Sequence, residues 1–208
     1  KSILSYSLNQ GSSSVDSSLN KVFDILSSTD NIFIKNPKIP SKKLITETKL
    51  SKKITAMVHF GRSGTGLLHS LIDGHPEVST LPSIYLSEFF DYFSWEKIIA
   101  GGWEEMPDRF VSIYAVLFDA SSNVKISTKG KRLIDNIGID EGLTNVGKER
   151  NEILSVNKKA FVKELKRLMD YYNRLDAITF FQLVHSAYEK AINNSDEKKL
   201  IFYHIHNP

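Results

Sequence analysis

Ile54-Thr55-Ala56-Met57-Val58-His59-Phe60-Gly61-Arg62-Ser63-Gly64-Thr65-Gly66-Leu67-Leu68-His69-Ser70-Leu71-Ile72 is the stretch that decides the fold. Residues 54–60 are mostly apolar and β-prone, with lysines before them and a glycine after. That pattern predicts a buried strand of the kind found in parallel sheets. A glycine-rich turn, 61–66, follows at once. Leu67, Leu68, Leu71 and Ile72 then fall at helical spacing, and Asp73-Gly74-His75-Pro76 ends the helix with a glycine and a proline. The order is strand, turn, helix. A second apolar run, Leu200 to Ile205, predicts another buried strand, closed by Asn207-Pro208. Together these predict an α/β fold, a parallel sheet flanked by helices, with a helix-rich insertion between the first and second strands.

Between the two strands the expected elements are helical. Leu86 to Ala100 carries Leu86, Phe89, Phe90, Phe93 and Ile98, and Pro107 stands near the start of a helix reaching about Phe118. Lys159 to Tyr172 and Leu175 to Ile192 read as two more, and Asn193-Asn194-Ser195-Asp196 as a turn. Residues 120–157 lack a period and are rich in Gly, Asn, Lys and Asp, so they read as a long irregular insertion. Residues 1–50 read as a tail and linker with one short amphipathic helix at about 15–28, from Val22, Phe23, Ile25 and Leu26, before Pro37, Pro40 and Lys42-Lys43. The main domain is then 51–208. The chain starts without Met and stops at Pro208, which reads as a piece incomplete at its C-terminus.

The chain has 208 residues, enough for one domain with a tail, and 41% hydrophobic residues, enough to bury a core without staples. It has no cysteine, which excludes a disulfide framework, a thiolate zinc site, an iron–sulfur cluster and a cysteine nucleophile. A net charge of +3 is too weak to argue for nucleic-acid binding on bulk charge. No apolar run of about 18 residues exists, so no membrane span is expected. No signal peptide is read, and a cytoplasmic location is expected.

Gly61 to Gly66 fits the first six positions of a nucleotide-binding G-x-x-x-x-G-K-S/T loop. The last two are Leu67 and Leu68, which supply neither the lysine for the terminal phosphates nor the hydroxyl for magnesium. What remains is an anion cradle: glycines that let backbone N–H groups converge, a helix start near Thr65, the Arg62 guanidinium, and the Ser63 and Thr65 hydroxyls. It predicts phosphate binding without metal. A plain turn joining strand to helix is the competing reading of the same residues.

A magnesium-free loop of this kind resembles that of the sulfotransferases that use 3′-phosphoadenosine 5′-phosphosulfate (PAPS). In many of them the loop reads K/R-S-G-T-T-L between an apolar strand and a helix. Here the matching residues are Arg62-Ser63-Gly64-Thr65-Gly66-Leu67. The following Leu71-Ile72-Asp73-Gly74-His75-Pro76-Glu77-Val78 is similar to the L-L-D-x-H-P-E-V of tyrosylprotein sulfotransferases and their bacterial relatives, so the resemblance covers about 25 residues. It departs at Gly66, where a second threonine is usual. The resemblance implies a P-loop-type sheet and transfer of a sulfuryl group from PAPS to a hydroxyl or amine. It implies that Gly61, Arg62, Ser63, Gly64, Thr65, Gly66 and Leu67 bind the 5′-phosphosulfate and that Arg62 steadies the leaving group. Residues 79–83 lack the glutamate that serves as base in that family. His206 in His204-Ile205-His206-Asn207-Pro208 aligns with the strand-end base of cytosolic members, K-T-H-x-P, or with the K-T-P of many bacterial relatives; a third alignment sets it against the arginine of the R-D/N-P strand, and the first two are preferred because histidine titrates near neutral pH. The R-D/N-P strand and the late G-x-x-G-x-x-K loop for the 3′-phosphate are not found, so this polypeptide alone is expected to bind weakly and catalyse nothing.

Other candidates read two ways. Glu88 is the nearest downstream carboxylate, on a helix face. His204 and His206 share a strand face and form an H-x-H that suits a metal only with further ligands, of which none is visible. His59 and His69 read as packing or capping residues, and His75 as fixing the helix end. Phe89, Phe90, Tyr92, Phe93 and Trp95 suit either an acceptor pocket or the core. Lys125, Lys129, Lys131 and Arg132 suit either an acidic ligand or a solvated loop. Two rival functions stay open: a nucleotide kinase or triphosphatase, and a non-catalytic α/β module that binds phosphate.

Overall fold

The computed structural model describes residues 32–38, 50–51, 53–59, 63–82, 86, 89–122 and 143–206, the side chains of His59 and His206 excepted. The expected helix at 15–28, Gly61, Arg62, Glu88, the 125–132 basic cluster and Asn207-Pro208 lie outside them. The elements are β1 (Ile34–Lys35), β2 (Lys53–His59), α1 (Thr65–Ile72), β3 (Val78–Thr80), α2 (Tyr92–Ile99), α3 (Met106–Ile113), α4 (Lys158–Met169), β4 (Arg174–Leu175), α5 (Ala177–Ala191) and β5 (Leu200–His206). Short 3-10 turns, Trp103–Glu105 and Ala115–Leu117, flank α3.

β2, β5 and β3 form a parallel sheet in the order β2-β5-β3. Lys53 pairs with Leu200 and His59 with His206, while Val78 also faces Leu200. The last strand in sequence is therefore central. The sheet is flanked by helices, as the strand–turn–helix pattern predicts. β3 is a strand the sequence reading lacked: three residues with intermediate polarity give no apolar run to find.

β5 alternates its faces. Tyr203 meets Phe90 and Phe181 on one side, and Phe202 and His204 meet His69 of α1 on the other. The first side is the main core. There Phe110 contacts Phe89, Tyr114, Phe118, Phe161 and Phe180, tying α3 to α4 and α5. Each such ring contributes roughly 1.5–3 kcal/mol by leaving water. Phe89, Phe90 and Trp95 belong to this core and not to a ligand pocket, whereas Tyr92 and Phe93 are exposed.

Helix starts follow side-chain chemistry. Asn157 accepts from Ala160 N at 3.0 Å at the start of α4, and Asp176 from Thr179 N at 2.6 Å at the start of α5. Pro107 sits in the first turn of α3, as expected. The helix expected over 86–100 is shorter, beginning at Tyr92, because residues 89–90 turn their rings into the core.

Two expectations change. Residues 32–38, read as linker, belong to the fold. β1 pairs antiparallel with β4, Trp95 Nε1 donates to Ile32 O at 3.1 Å, and Asn36 Nδ2 donates to Tyr172 O at 3.1 Å. β2, read as a buried strand, has Thr55, Ala56 and Val58 exposed, and among the described residues it pairs with β5 alone. Its apolar character fits a parallel sheet, but its position is at the edge. The described parts of the 120–157 insertion are irregular, with two isolated bridges, Asp119–Ser155 and Val146–Glu152.

Candidate functional site

The glycine-rich turn joins the carboxyl end of β2 to α1. Gly64 is the residue before the helix, with φ 77° and ψ 11°. That is the left-handed region, open to glycine at little cost. The first helical bond runs from Leu68 N to Gly64 O at 3.2 Å. Among the described residues, α1 has no side-chain N-cap hydrogen bond and no acidic residue in its first turn. A Cβ at Gly64 or Gly66 would meet nothing within 4 Å. Ser63, Gly66 and Leu67 are exposed and Thr65 is half-buried.

Parallel pairing sets the neighbour. Position 206, the last of β5, lies opposite position 59, the last of β2. The carboxyl ends of β5 and β2 therefore lie side by side, at the edge where open α/β sheets take ligands. The side chain of His206 and residues Gly61 and Arg62 lie outside the described residues.

One helical turn into α1, His69 is buried against β5. Its Nδ1 lies 2.9 Å from His204 Nε2, and the rings meet edge-on at 4.6 Å. Burial pushes the His69 imidazole below its ordinary value, against the opposing field of Asp73. His204 of the His204-x-His206 pattern is thus in hydrogen-bond contact with a third histidine. Among the described residues, no group of three or more His, Asp and Glu stands together to hold a metal ion.

The stretch after α1 ties that helix to β3 and β5. Asp73 Oδ1 accepts from Thr80 Oγ1 at 2.7 Å, linking α1 to β3. His75 N donates to Ile72 O at 3.1 Å and its Nδ1 accepts from Glu77 N at 3.1 Å, which closes the helix end. The Glu77 carbonyl accepts from Lys199 N and Leu200 N, and its carboxylate pairs with Lys199. These residues register β3 against β5, a structural use of the His75-Pro76-Glu77-Val78 run.

A second polar cluster was not legible from the sequence. Ser79 of β3 donates from Oγ to Glu189 Oε1 at 2.7 Å and lies 2.9 Å from His185 Nδ1, both on α5. His185 and Glu189 stand four apart and so share a helix face, a signal available in the sequence, but β3 was not. Burial lowers the His185 imidazole to about 3 and raises the Glu189 carboxyl.

Comparison with protein-family models, with curated proteins and with solved structures finds no match.

Proposed function

We propose that the chain is a PAPS-dependent sulfotransferase-type P-loop protein. The observation that supports this reading is the left-handed Gly64 that leads into α1 after β2, a strand whose last residue pairs with the last of β5 in a parallel sheet. Its support in sequence is the run from Arg62 to Leu67 and the Asp73-to-Val78 stretch after it.

On this reading the backbone N–H groups of residues 63–67 and the start of α1 hold the 5′-phosphosulfate without metal. Arg62 neutralises the bridging oxygen as the S–O bond to the phosphate breaks. The acceptor oxygen or nitrogen bonds to sulfur, its proton passes to His206, and 3′-phosphoadenosine 5′-phosphate (PAP) leaves. Leu67 and Leu68 argue against a magnesium-dependent kinase or triphosphatase.

The test is calorimetric titration with PAP and with ADP, each with and without magnesium, on wild type and Arg62→Ala. Magnesium-independent PAP binding, lost in Arg62→Ala, is the expected result. Magnesium-dependent ADP binding overturns the reading in favour of a nucleoside triphosphate enzyme. PAP binding without sulfuryl transfer to any phenol, alcohol or amine acceptor, even by a chain extended at its C-terminus, supports a non-catalytic phosphate-binding module instead.

A further inference from the structure

A cavity of about 360 Å³ opens at the other edge of the sheet, where β5 begins. Its floor is Ser79, His185 and Glu189, at 2%, 1% and 8% exposure. Its rim is exposed: Lys190, Ser195, Asp196 and Glu197. The hydrogen bonds of the floor fix what it offers. The Ser79 hydroxyl has one proton, and it goes to Glu189 Oε1. The contact to His185 Nδ1 must then be Nδ1–H donating to Ser79 Oγ. His185 is neutral, so its Nε2 carries a lone pair, and that atom has no hydrogen-bond partner. Glu189 Oε2 accepts from Asn194 Nδ2 at 2.7 Å. The nearest cation, Lys198 Nζ, stands 3.8 Å from Oε2 and donates instead to His75 O at 3.0 Å.

The floor therefore presents acceptors and no spare donor, and its buried carboxylate has a counter-ion beyond hydrogen-bond reach. Around it, four carboxylates (Glu164, Glu189, Asp196, Glu197) face two ammonium groups (Lys190, Lys198). Of these, Glu164 is paired with Arg167 at 2.7 Å. The cluster is not built for nucleophilic attack. Its carboxylate accepts from the hydroxyl, and the imidazole is not bonded to that carboxylate.

We propose that this cavity binds a small ligand through a primary ammonium group seated at Glu189. The volume, near the lower end of the roughly 300–1,000 Å³ of small-molecule pockets, suits a ligand of amino-acid or diamine size. Ser186, half-buried on α5, lines the approach.

The experiment is calorimetric titration of the full chain with 1,4-diaminobutane, with L-alanine and with acetate as the ammonium-free control. One or both ammonium compounds bind wild type and acetate does not. Diamine binding identifies an amine ligand, and binding of alanine alone a zwitterion. Glu189→Gln weakens binding at least about tenfold. Lys198→Met, which removes the competing cation, tightens the diamine. Should Glu189→Gln fail to fold, Ser186→Phe fills the approach without touching the network and abolishes binding. No binding of either ammonium compound up to about 10 mM, or binding unchanged in both Glu189→Gln and Ser186→Phe, overturns the proposal.

Discussion

Gly64→Ala and Gly66→Ala form a pair whose difference isolates the backbone strain at the glycine-rich turn. Both replacements remove the same freedom from the unfolded chain, a gain of roughly 0.4–1 kcal/mol each. Neither new Cβ meets any atom within 4 Å, so neither adds a clash. The variants differ in backbone alone: residue 64 has φ +77°, and residue 66 is the second residue of α1. An L-residue in the left-handed region costs about 1–2 kcal/mol. Gly66→Ala should therefore be neutral or more stable by up to about 1 kcal/mol, and Gly64→Ala less stable than Gly66→Ala by about 1–2 kcal/mol. Urea unfolding with linear extrapolation reads this directly, with the slope m unchanged and only the midpoint moving. In a thermal scan the gap is roughly 2–8 °C for a chain of this size. Gly64→Asn should fall between the two, because asparagine tolerates this conformation better. Equal midpoints for Gly64→Ala and Gly66→Ala would refute the left-handed turn and, with it, the argued geometry of the anion cradle.

Other consequences follow from burial and from proton linkage. Phe110→Ala empties the centre of the aromatic core and should cost about 3–5 kcal/mol in chemical denaturation; a loss under about 1 kcal/mol contradicts its full burial. Tyr188→Phe leaves the Leu117 carbonyl without the 2.7 Å bond from Tyr188 Oη, a loss of about 1–3 kcal/mol measurable by the same method. His185 is held near 3 in the fold against 6.5 when free, so between those values the unfolded chain binds more protons. Its contribution is full above about pH 6.5 and is lost as pH falls toward 3, on the order of several kcal/mol, with buried His69 adding in the same direction. Glu189, raised by burial, acts oppositely: its contribution is present at low pH and fades as pH rises through its folded value. Stability measured between pH 7.5 and 5 should fall with acid, and more shallowly in His185→Leu; an identical slope in that variant removes His185 as the cause.

The sequence by itself determined the elements whose signal is local. β2 and β5 announce themselves as apolar runs, α1 by the spacing of Leu67, Leu68, Leu71 and Ile72, and the turn by its glycines, because strand and helix periods and left-handed backbone are properties of neighbouring residues. α3, α4 and α5 were legible for the same reason, with their ends set by Pro107, Asn157 and Asp176. Tertiary structure decided everything that depends on pairing across distance. Only the register placed β5 between β2 and β3 among the described strands, and so brought position 206 beside position 59. β1, β3 and β4 are two or three residues each, too short for any period, and exist because a partner strand accepts them. The bond between His69 and His204 spans 135 positions, and the bonds from Ser79 to His185 and Glu189 span 106 and 110. No local pattern encodes such contacts; they arise when burial forces each polar side chain to find a partner that the folded chain has carried to it.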